Sequence, residues 1–379
     1  MPTRALEFYS GIGGLHRALT ESRVDGQVVR AFDWDQSSCR VYAANYGKDI
    51  MQRVDISTLD ADALAAHQAD LWLMSPSCQP YTVLNPLAKG AEDPRAKSFI
   101  HIIEDVLPRM VSSNTHPRYM LIENVAGFET SSTRQRLLDT LSGLGYNVLE
   151  LLLTPLQFGI PNSRLRYYLL VKAKPLQFAN VGEDAAQAVW RHIPGLAPDW
   201  VDTRMQSGPR EVVVDGRAAD SVAEIRQYLD PPLEDGQLHP CAVPDRVLEK
   251  WGRLFDIILP SARRSCCFTR GYSKMAERSG SVLQMNEELD TTSIFDRFLA
   301  AQALGQENAV RILDPLRLRY FSPTELLRIF CFVPTAGGVH EDQLGFLWPE
   351  DLSVKAQYRL IGNSVNVRVV MQLINYLFQ

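Results

Sequence analysis

ALEFYSGIGGLHRALTES, residues 5–22, followed after a short polar link by VVRAFD, residues 28–33, is the stretch on which the fold turns. A short apolar run ends in a glycine turn (Gly11, Gly13, Gly14), an amphipathic run follows, and a second apolar run ends in Asp33. Apolar runs of strand length joined by a helical pattern are the βαβ rhythm of a parallel sheet. The rhythm continues through CRVYAANY (39–46), DLWLMS (70–75) and YMLIENV (119–125). The predicted fold class is therefore α/β, a doubly wound and mostly parallel sheet. Each apolar run closes on Gly, Asp, Ser or Glu-Asn, so polar side chains gather at the carboxyl ends of the strands, where open sheets of this kind bind ligands.

After YYLLVKAK (167–174) the rhythm fails. From about Pro175 to Val310 the chain is rich in proline and acidic residues, as in PGLAPDW (194–200), DPPLEDG (230–236) and HPCAVPD (239–245). The helical pattern returns in LRLRYFSPTELLRIFCF (316–332) and SVNVRVVMQLINYLF (364–378), where Ser322-Pro323-Thr324-Glu325 reads as an N-cap, a first-position proline and a helix. The expected organisation is a catalytic and cofactor-binding domain over 1–180, a smaller irregular domain over 181–310, and helices over 311–379 that return to the first domain.

At 379 residues the chain exceeds one comfortable hydrophobic core. A hydrophobic content of 46% with 22% charged residues excludes collagen-like and disordered classes. The start lacks the apolar core of a secretory signal, and no apolar stretch approaches the roughly 20 residues needed to cross a bilayer. An intracellular, soluble protein is expected. The six cysteines show no paired spacing suited to zinc, so neither a metal nor a disulfide framework is expected. The net charge of -5 argues weakly against a nucleic-acid partner, but arginines cluster locally at Arg164 and Arg166 and at Arg263 and Arg264.

Several residues carry possible chemistry, and each has a plain structural alternative. The turn Phe8-Tyr9-Ser10-Gly11-Ile12-Gly13-Gly14 either lets a ligand approach the backbone or is an ordinary tight turn. Asp33, some twenty residues beyond the turn, suits a ribose, and Asp55 in VDIS suits the adenine end of the same ligand; alone, each would be a helix cap. Cys78, in Ser75-Pro76-Ser77-Cys78-Gln79-Pro80, is either a core thiol or a nucleophile presented on a loop at the binding edge. Glu123 of Glu123-Asn124 is either a cap or a carboxylate facing that loop. Arg164 and Arg166 alternate before an apolar run, so on a strand both would point to one face, whether as solvated surface or as a grip on a phosphate or base.

In this order the segments resemble the cytosine-5 methyltransferases. FYSGIGG is similar to their cofactor glycine motif, SPSCQPYT (75–82) to their Pro-Cys loop, IENV (122–125) to their Glu-Asn-Val motif, SRLRYY (163–168) to their Arg-x-Arg motif, and GNSVNV (362–367) to their C-terminal cofactor-side motif. SCCFTRGYSKMAERSGSVLQ (265–284), with Cys267-Phe268-Thr269, resembles the hallmark of the branch historically called DNA methyltransferase 2, whose members methylate an anticodon-loop cytosine of aspartate tRNA. The chain departs from the family at Ser77, where the family's loop carries proline, and serine does not restrict φ as proline does.

The resemblance implies a Rossmann-like fold with a target-recognition domain in the irregular region, and S-adenosylmethionine as cofactor, released as S-adenosylhomocysteine. It implies catalytic roles for Cys78, Glu123, Arg164 and Arg166. Cofactor contacts would come from Phe8, Tyr9, Ser10, Gly11, Gly13, Gly14, Asp33, Trp34, Asp55, Ile56, Pro76, Asn363, Ser364 and Val365. Substrate contacts would come from Gln79, Asn124, Cys267, Phe268 and Thr269. The expected partner is tRNA, foremost aspartate tRNA at cytosine 38, with weak DNA binding, no membrane and a monomeric state; the expected location is the cytoplasm, with a nuclear fraction. Two alternatives stand beside this reading: a duplex DNA substrate, and a binding relic impaired by Ser77. Cys39 and Cys331, in apolar helical patterns, are expected in the core.

Overall fold

The computed structural model describes residues 1–81, 90–182, 188–196, 221–232, 237, 239–335 and 345–379. Residues 197–200 of PGLAPDW, 233–236 of DPPLEDG and residue 82 of the cysteine loop segment lie outside the described residues.

The first apolar runs form the strands the pattern predicts. Strand β1 (Thr3–Phe8) leads through the glycine turn into α1 (Gly14–Glu21), then β2 (Gly26–Asp33), α2 (Gln36–Tyr46), the short β3 (Met51–Arg53), α3 (Ala61–Ala65) and β4 (Leu71–Met74). Helices α4 (Lys97–His101) and α5 (Leu107–Ser112), joined by a π-helical turn, precede β5 (Tyr119–Val125); α6 (Ser132–Gly143), β6 (Tyr146–Leu153) and β7 (Arg166–Ala173) follow. With β8 (Val189–Trp190) these strands make one sheet in the order β3-β2-β1-β4-β5-β7-β6-β8. The sheet is buried on both faces, which is why LWLM is apolar throughout rather than alternating. Leu6, Phe8, Trp72 and Met74 fill one face, and Ala5, Leu71 and Leu73 the other. Burying each large side chain contributes about 1.5–3 kcal/mol.

The departure from all-parallel order is β7, which runs antiparallel to both β5 and β6. Its first residue therefore lies at the edge where the parallel strands end, with Arg166 opposite Val125.

Two observations refine the expected boundaries at 180 and 310. Strand β8 lies beyond residue 180 yet pairs with β6. The 3-10 turns over Ala309–Leu316 and strand β11 (Leu318–Arg319) lie beyond 310, yet β11 pairs with β10 (Ser281–Gln284) in a second sheet, ordered β11-β10-β9 with β9 at Asp256–Ile258. Helices α7 (Asp245–Trp251) and α8 (Thr291–Ala303) pack on the 3-10 turns that lead into β11. Chain order does not set membership here, because a two-residue strand is recruited by whichever edge lies beside it.

Helix α9 (Pro323–Ile329) starts as its sequence indicates: the Ser322 hydroxyl caps the backbone and Glu325 returns the bond, with Pro323 in the first turn. Helix α10 (Val354–Gly362) is followed by α11 (Val367–Leu377), which packs on α1 and β7 with Val369, Val370, Leu373 and Ile374 buried. All six cysteines are free, with Cys39 buried and Cys331 half-buried. Among the described residues no helix is long and apolar enough to cross a membrane.

Candidate active site

The Cys78 loop leaves the end of β4 and is held from two sides. The Ser75 amide donates to the Phe8 carbonyl (3.3 Å), and the Ser75 hydroxyl to the Tyr9 carbonyl (3.0 Å). From β5, the Asn124 side-chain amide donates to the Pro76 carbonyl (3.2 Å). Asn124 is buried and engaged with the loop, so the structure makes it a loop anchor rather than the substrate contact expected of it. The Tyr81 amide closes a turn on the Cys78 carbonyl (3.0 Å), and its ring packs edge-on against Phe128. Gln79 is tied to Arg95, itself paired with buried Asp93.

The register of β5 and β7 explains what faces Cys78. Glu123 lies opposite Tyr168 and Val125 opposite Arg166, so Glu123 and Arg166 are diagonal neighbours on one face. Their ion pair spans 3.5 Å, and Glu123 is only 8% exposed. Burial raises the Glu123 carboxyl above its usual range, and the opposing pull of Arg166 and Arg164 does not cancel it. Burial also raises the Cys78 thiol; Arg166 opposes that and Glu123 adds to it. The cation that a nucleophilic thiol needs is thus present, but it is outweighed in the free protein.

Arg164 behaves differently from its neighbour. Arg164 lies just before β7, which begins at Arg166, yet both guanidinium groups reach the Cys267 sulfur. The Arg164 backbone is turned by bonds from its amide to the Asn162 carbonyl (3.1 Å) and the Thr154 hydroxyl (3.2 Å). Its guanidinium donates to the carbonyls of Phe268 (2.8 Å), Gly362 (3.1 Å) and Ser364 (2.6 Å), and to the Cys267 sulfur (3.4 Å). Three segments far apart in sequence therefore meet on one cation. They meet closely: a Cβ on Gly362 would lie 2.3 Å from the Thr269 carbonyl carbon and 2.4 Å from the Arg270 nitrogen. Arg166 also reaches Cys267, with Nη2 3.6 Å from the sulfur. Phe268 is 0% exposed, its ring edge-on to Tyr272 and Phe321, so it is core rather than a substrate contact. Thr269 is half-buried, its amide bonded to the Ser279 carbonyl (2.9 Å).

At the ends of β1 and β2 the glycine turn is fastened by Asp33, whose two oxygens accept from the amides of Gly11 and Asp35, both at 2.8 Å. Ser10 is buried, and its amide bonds to the Phe32 carbonyl (3.1 Å). Tyr9 adopts a positive φ of 56°, and its hydroxyl pairs with Ser98 at 3.0 Å. Behind Gly13, a Cβ would collide with the Tyr46 ring, and beside Gly14 it would lie 2.7 Å from Val365 Cγ2 and 2.9 Å from Ser364 Oγ. The GNSVNV segment is thereby seated on the turn, with Val365 buried and Asn363 exposed. Trp34 is 65% exposed beside Asp33, with the Arg53 guanidinium 5.9 Å from its ring centroid. Asp55 caps the turn at Ile56–Thr58, and Ile56 and Pro76 are buried beneath it and the cysteine loop respectively. Phe8 is withdrawn: its ring packs between Phe32 and Trp72 and its carbonyl accepts from Ser75, so it is core and not a cofactor contact.

The C-5 cytosine-specific DNA methylase family profile matches residues 3–379. The chain belongs to that family. A tRNA (cytosine(38)-C(5))-methyltransferase of Bos taurus is 36% identical, covering 99% of each chain. A DNA (cytosine-5)-methyltransferase of Dictyostelium discoideum is 34% identical over 99% of this chain and 94% of its own. The crystal structure of S. pombe Dnmt2 methyltransferase superposes with a TM-score of 0.74 at 34% identity, covering 100% of this chain and 98% of that one.

As a cytosine-5 methylase the chain takes its methyl group from S-adenosylmethionine and releases S-adenosylhomocysteine. The residues at the β1–β2 edge suit such a nucleoside sulfonium. The space where a Gly11 Cβ would stand is open, Trp34 offers an uncovered aromatic edge, and each Asp33 oxygen keeps a further lone pair for a ribose hydroxyl. The methylase site also uses residues that motif reading passed over. Asp35 caps α2 and pairs with Arg359 at 2.9 Å, tying this edge to α10, and Arg95 braces Gln79. The second acid of FDWD was the available signal for Asp35; nothing local marks Arg95.

Proposed function

We propose that this methylase modifies tRNA, at the anticodon-loop cytosine 38 of aspartate tRNA, through a covalent adduct of Cys78. The observation that carries the reading is the Glu123–Arg166 pair, 3.5 Å apart at the carboxyl edge of the sheet, whose two charges act on the Cys78 thiol. The Bos taurus relative, named for that tRNA position and matched end to end, supports the substrate.

In this mechanism the Cys78 thiolate forms a bond to carbon 6 of cytosine, and the displaced electron pair makes carbon 5 nucleophilic. The Glu123 carboxyl, whose hold on a proton burial strengthens, donates a proton at N3 and later takes it back. When bound, S-adenosylmethionine supplies an electrophilic methyl group, which carbon 5 accepts. Loss of the carbon 5 proton restores the double bond and expels Cys78. Arg166 orients Glu123 and stabilises the thiolate, Asn124 sets the loop, and Arg164 acts through other groups as a positioning residue. A thiol approaching the face of the ring requires an unstacked base, and a single-stranded loop lowers that cost. In this reading the enzyme is a cytoplasmic monomer with access to the nucleus and binds DNA weakly.

Transfer of labelled methyl to unmodified aspartate tRNA tests the proposal, with duplex DNA and Cys78→Ala in parallel. Label on tRNA that disappears in Cys78→Ala, and covalent trapping of a 5-fluorocytosine tRNA by the wild type, are expected. The Dictyostelium relative, named for DNA, favours a second reading with duplex DNA as substrate. Label on DNA in preference to tRNA would establish that reading; methyl transfer that survives Cys78→Ala would eliminate the covalent mechanism.

A further inference from the structure

Two cysteines lie near Arg166, and the reaction above uses only Cys78. Cys267 comes from the segment bound to Arg164, and its sulfur sits between two guanidinium groups, 3.4 Å from Arg164 Nη1 and 3.6 Å from Arg166 Nη2. The sulfur's own donation, to the Phe268 carbonyl, is long at 3.8 Å and shares that oxygen with Arg164 at 2.8 Å, whereas both guanidinium groups donate to the sulfur. Arg166 is shared: its Nε lies 3.5 Å from Glu123 while Nη2 turns to Cys267.

We propose that Cys267 is a positioning residue for methyl transfer: as a thiolate it shares Arg166 with Glu123, so that the carboxyl keeps the proton it gives to the cytosine ring. The proposal rests on the reading in which Glu123 acts as that acid. Two buried cations with no anion at position 267 would draw on Glu123 for balance and hold it ionised. The groups facing this cluster are Arg164, Arg166 and Tyr168 around β7, Glu123 on β5, Cys78 on its loop, and Cys266 beside Cys267. Burial opposes ionisation of Cys267, but Arg166 and Arg164 outweigh it and hold the thiol below its ordinary range. Cys78 and Glu123 are shifted the other way, each raised by burial. The cluster therefore sets Cys267, which both arginines contact, apart from Cys78 and Glu123, which the proposed reaction uses.

Cys267→Ser tests this, because serine keeps the size and hydrogen-bonding capacity of cysteine but does not ionise. The free enzyme must hold Glu123 protonated and Cys78 ionised at once. Weaker proton binding by Glu123 therefore lowers the neutral plateau of kcat/KM and moves its acid limb down together. We expect a plateau on the order of tenfold lower and a limb displaced by about one pH unit, with the KM for S-adenosylmethionine unchanged. An unchanged profile, or a loss of rate with the limb in place, would overturn the proposal. A substrate-free titration of far-ultraviolet thiolate absorbance in the wild type and in Cys78→Ala gives a second readout that does not depend on the serine variant folding. A thiolate that persists in both well below the ordinary thiol pKa of about 8.5 is expected, and its absence would overturn the proposal. Failure to methylate tRNA with that thiolate present would count against the substrate reading instead.

Discussion

The edge formed by β1, β2 and β4 and the corner formed around Arg164 both touch the 362–365 segment, but they are built by different means. At the edge, local devices dominate: a glycine turn, an Asp33 that fastens it twenty-two residues on, and helix caps at Asp35 and Asp55. At the corner, one guanidinium joins carbonyls at positions 268, 362 and 364, about one hundred to two hundred residues from Arg164 itself. A local device fails locally, whereas a shared cation couples the stability of every segment it holds. The comparison predicts that substitutions at the corner act first on folding and those at the edge first on cofactor or rate.

The largest effect is expected from Arg164→Ala. It leaves three carbonyls without their buried donor, and a loss of about 3–5 kcal/mol in denaturant unfolding should accompany lost activity. An Arg164→Ala protein of wild-type stability would erase the distinction between the regions.

Two glycines sharpen it next. Gly362→Ala drives a methyl group into the Thr269–Arg270 backbone, while Gly14→Ala meets the side-chain ends of Val365 and Ser364. Because side-chain ends can move and a packed backbone cannot, Gly362→Ala should cost about 2–4 kcal/mol and Gly14→Ala roughly half as much, with S-adenosylmethionine affinity falling further in the latter. Paired thermal melts and calorimetric titrations would read both.

A smaller effect concerns the support beneath the edge. Glu7 is buried, accepts from the Tyr42 hydroxyl (2.8 Å) and the His16 amide (3.2 Å), and burial pushes its carboxyl up from 4.5 to about 8. A carboxyl whose folded pKa exceeds its unfolded one lends stability that is complete below about pH 4.5 and lost as pH rises through about 8. Glu7→Gln removes that dependence, so the variant should gain about 2 kcal/mol on the wild type between about pH 6 and about pH 8. Unfolding curves that stay parallel across that window would contradict the assignment.

The smallest expected change is Ser77→Pro. Restricting φ in the cysteine loop should favour one loop conformation by about 0.4–1 kcal/mol and raise kcat by roughly two- to fivefold without altering stability at the corner. A slower enzyme would mean that the loop needs the freedom serine allows.

Most of the sheet was legible because buried strands and amphipathic helices declare their period within a few residues, as LWLM and SPTELLRIF do. The glycine turn, Asp33 and the Ser322 cap were legible for the same reason. The motifs also named Glu123 and Arg166, which the structure pairs at 3.5 Å. What only the tertiary structure decided was direction and partnership. The antiparallel course of β7 brings Arg166 beside Glu123, and Phe8 and Phe268 are fully buried in the core. Arg164 becomes a strut and Asn124 a loop anchor for a related reason. A side chain's role depends on which distant carbonyl or sulfur completes its hydrogen bonds, and such partners are chosen by packing between segments whose separation leaves no trace in local sequence.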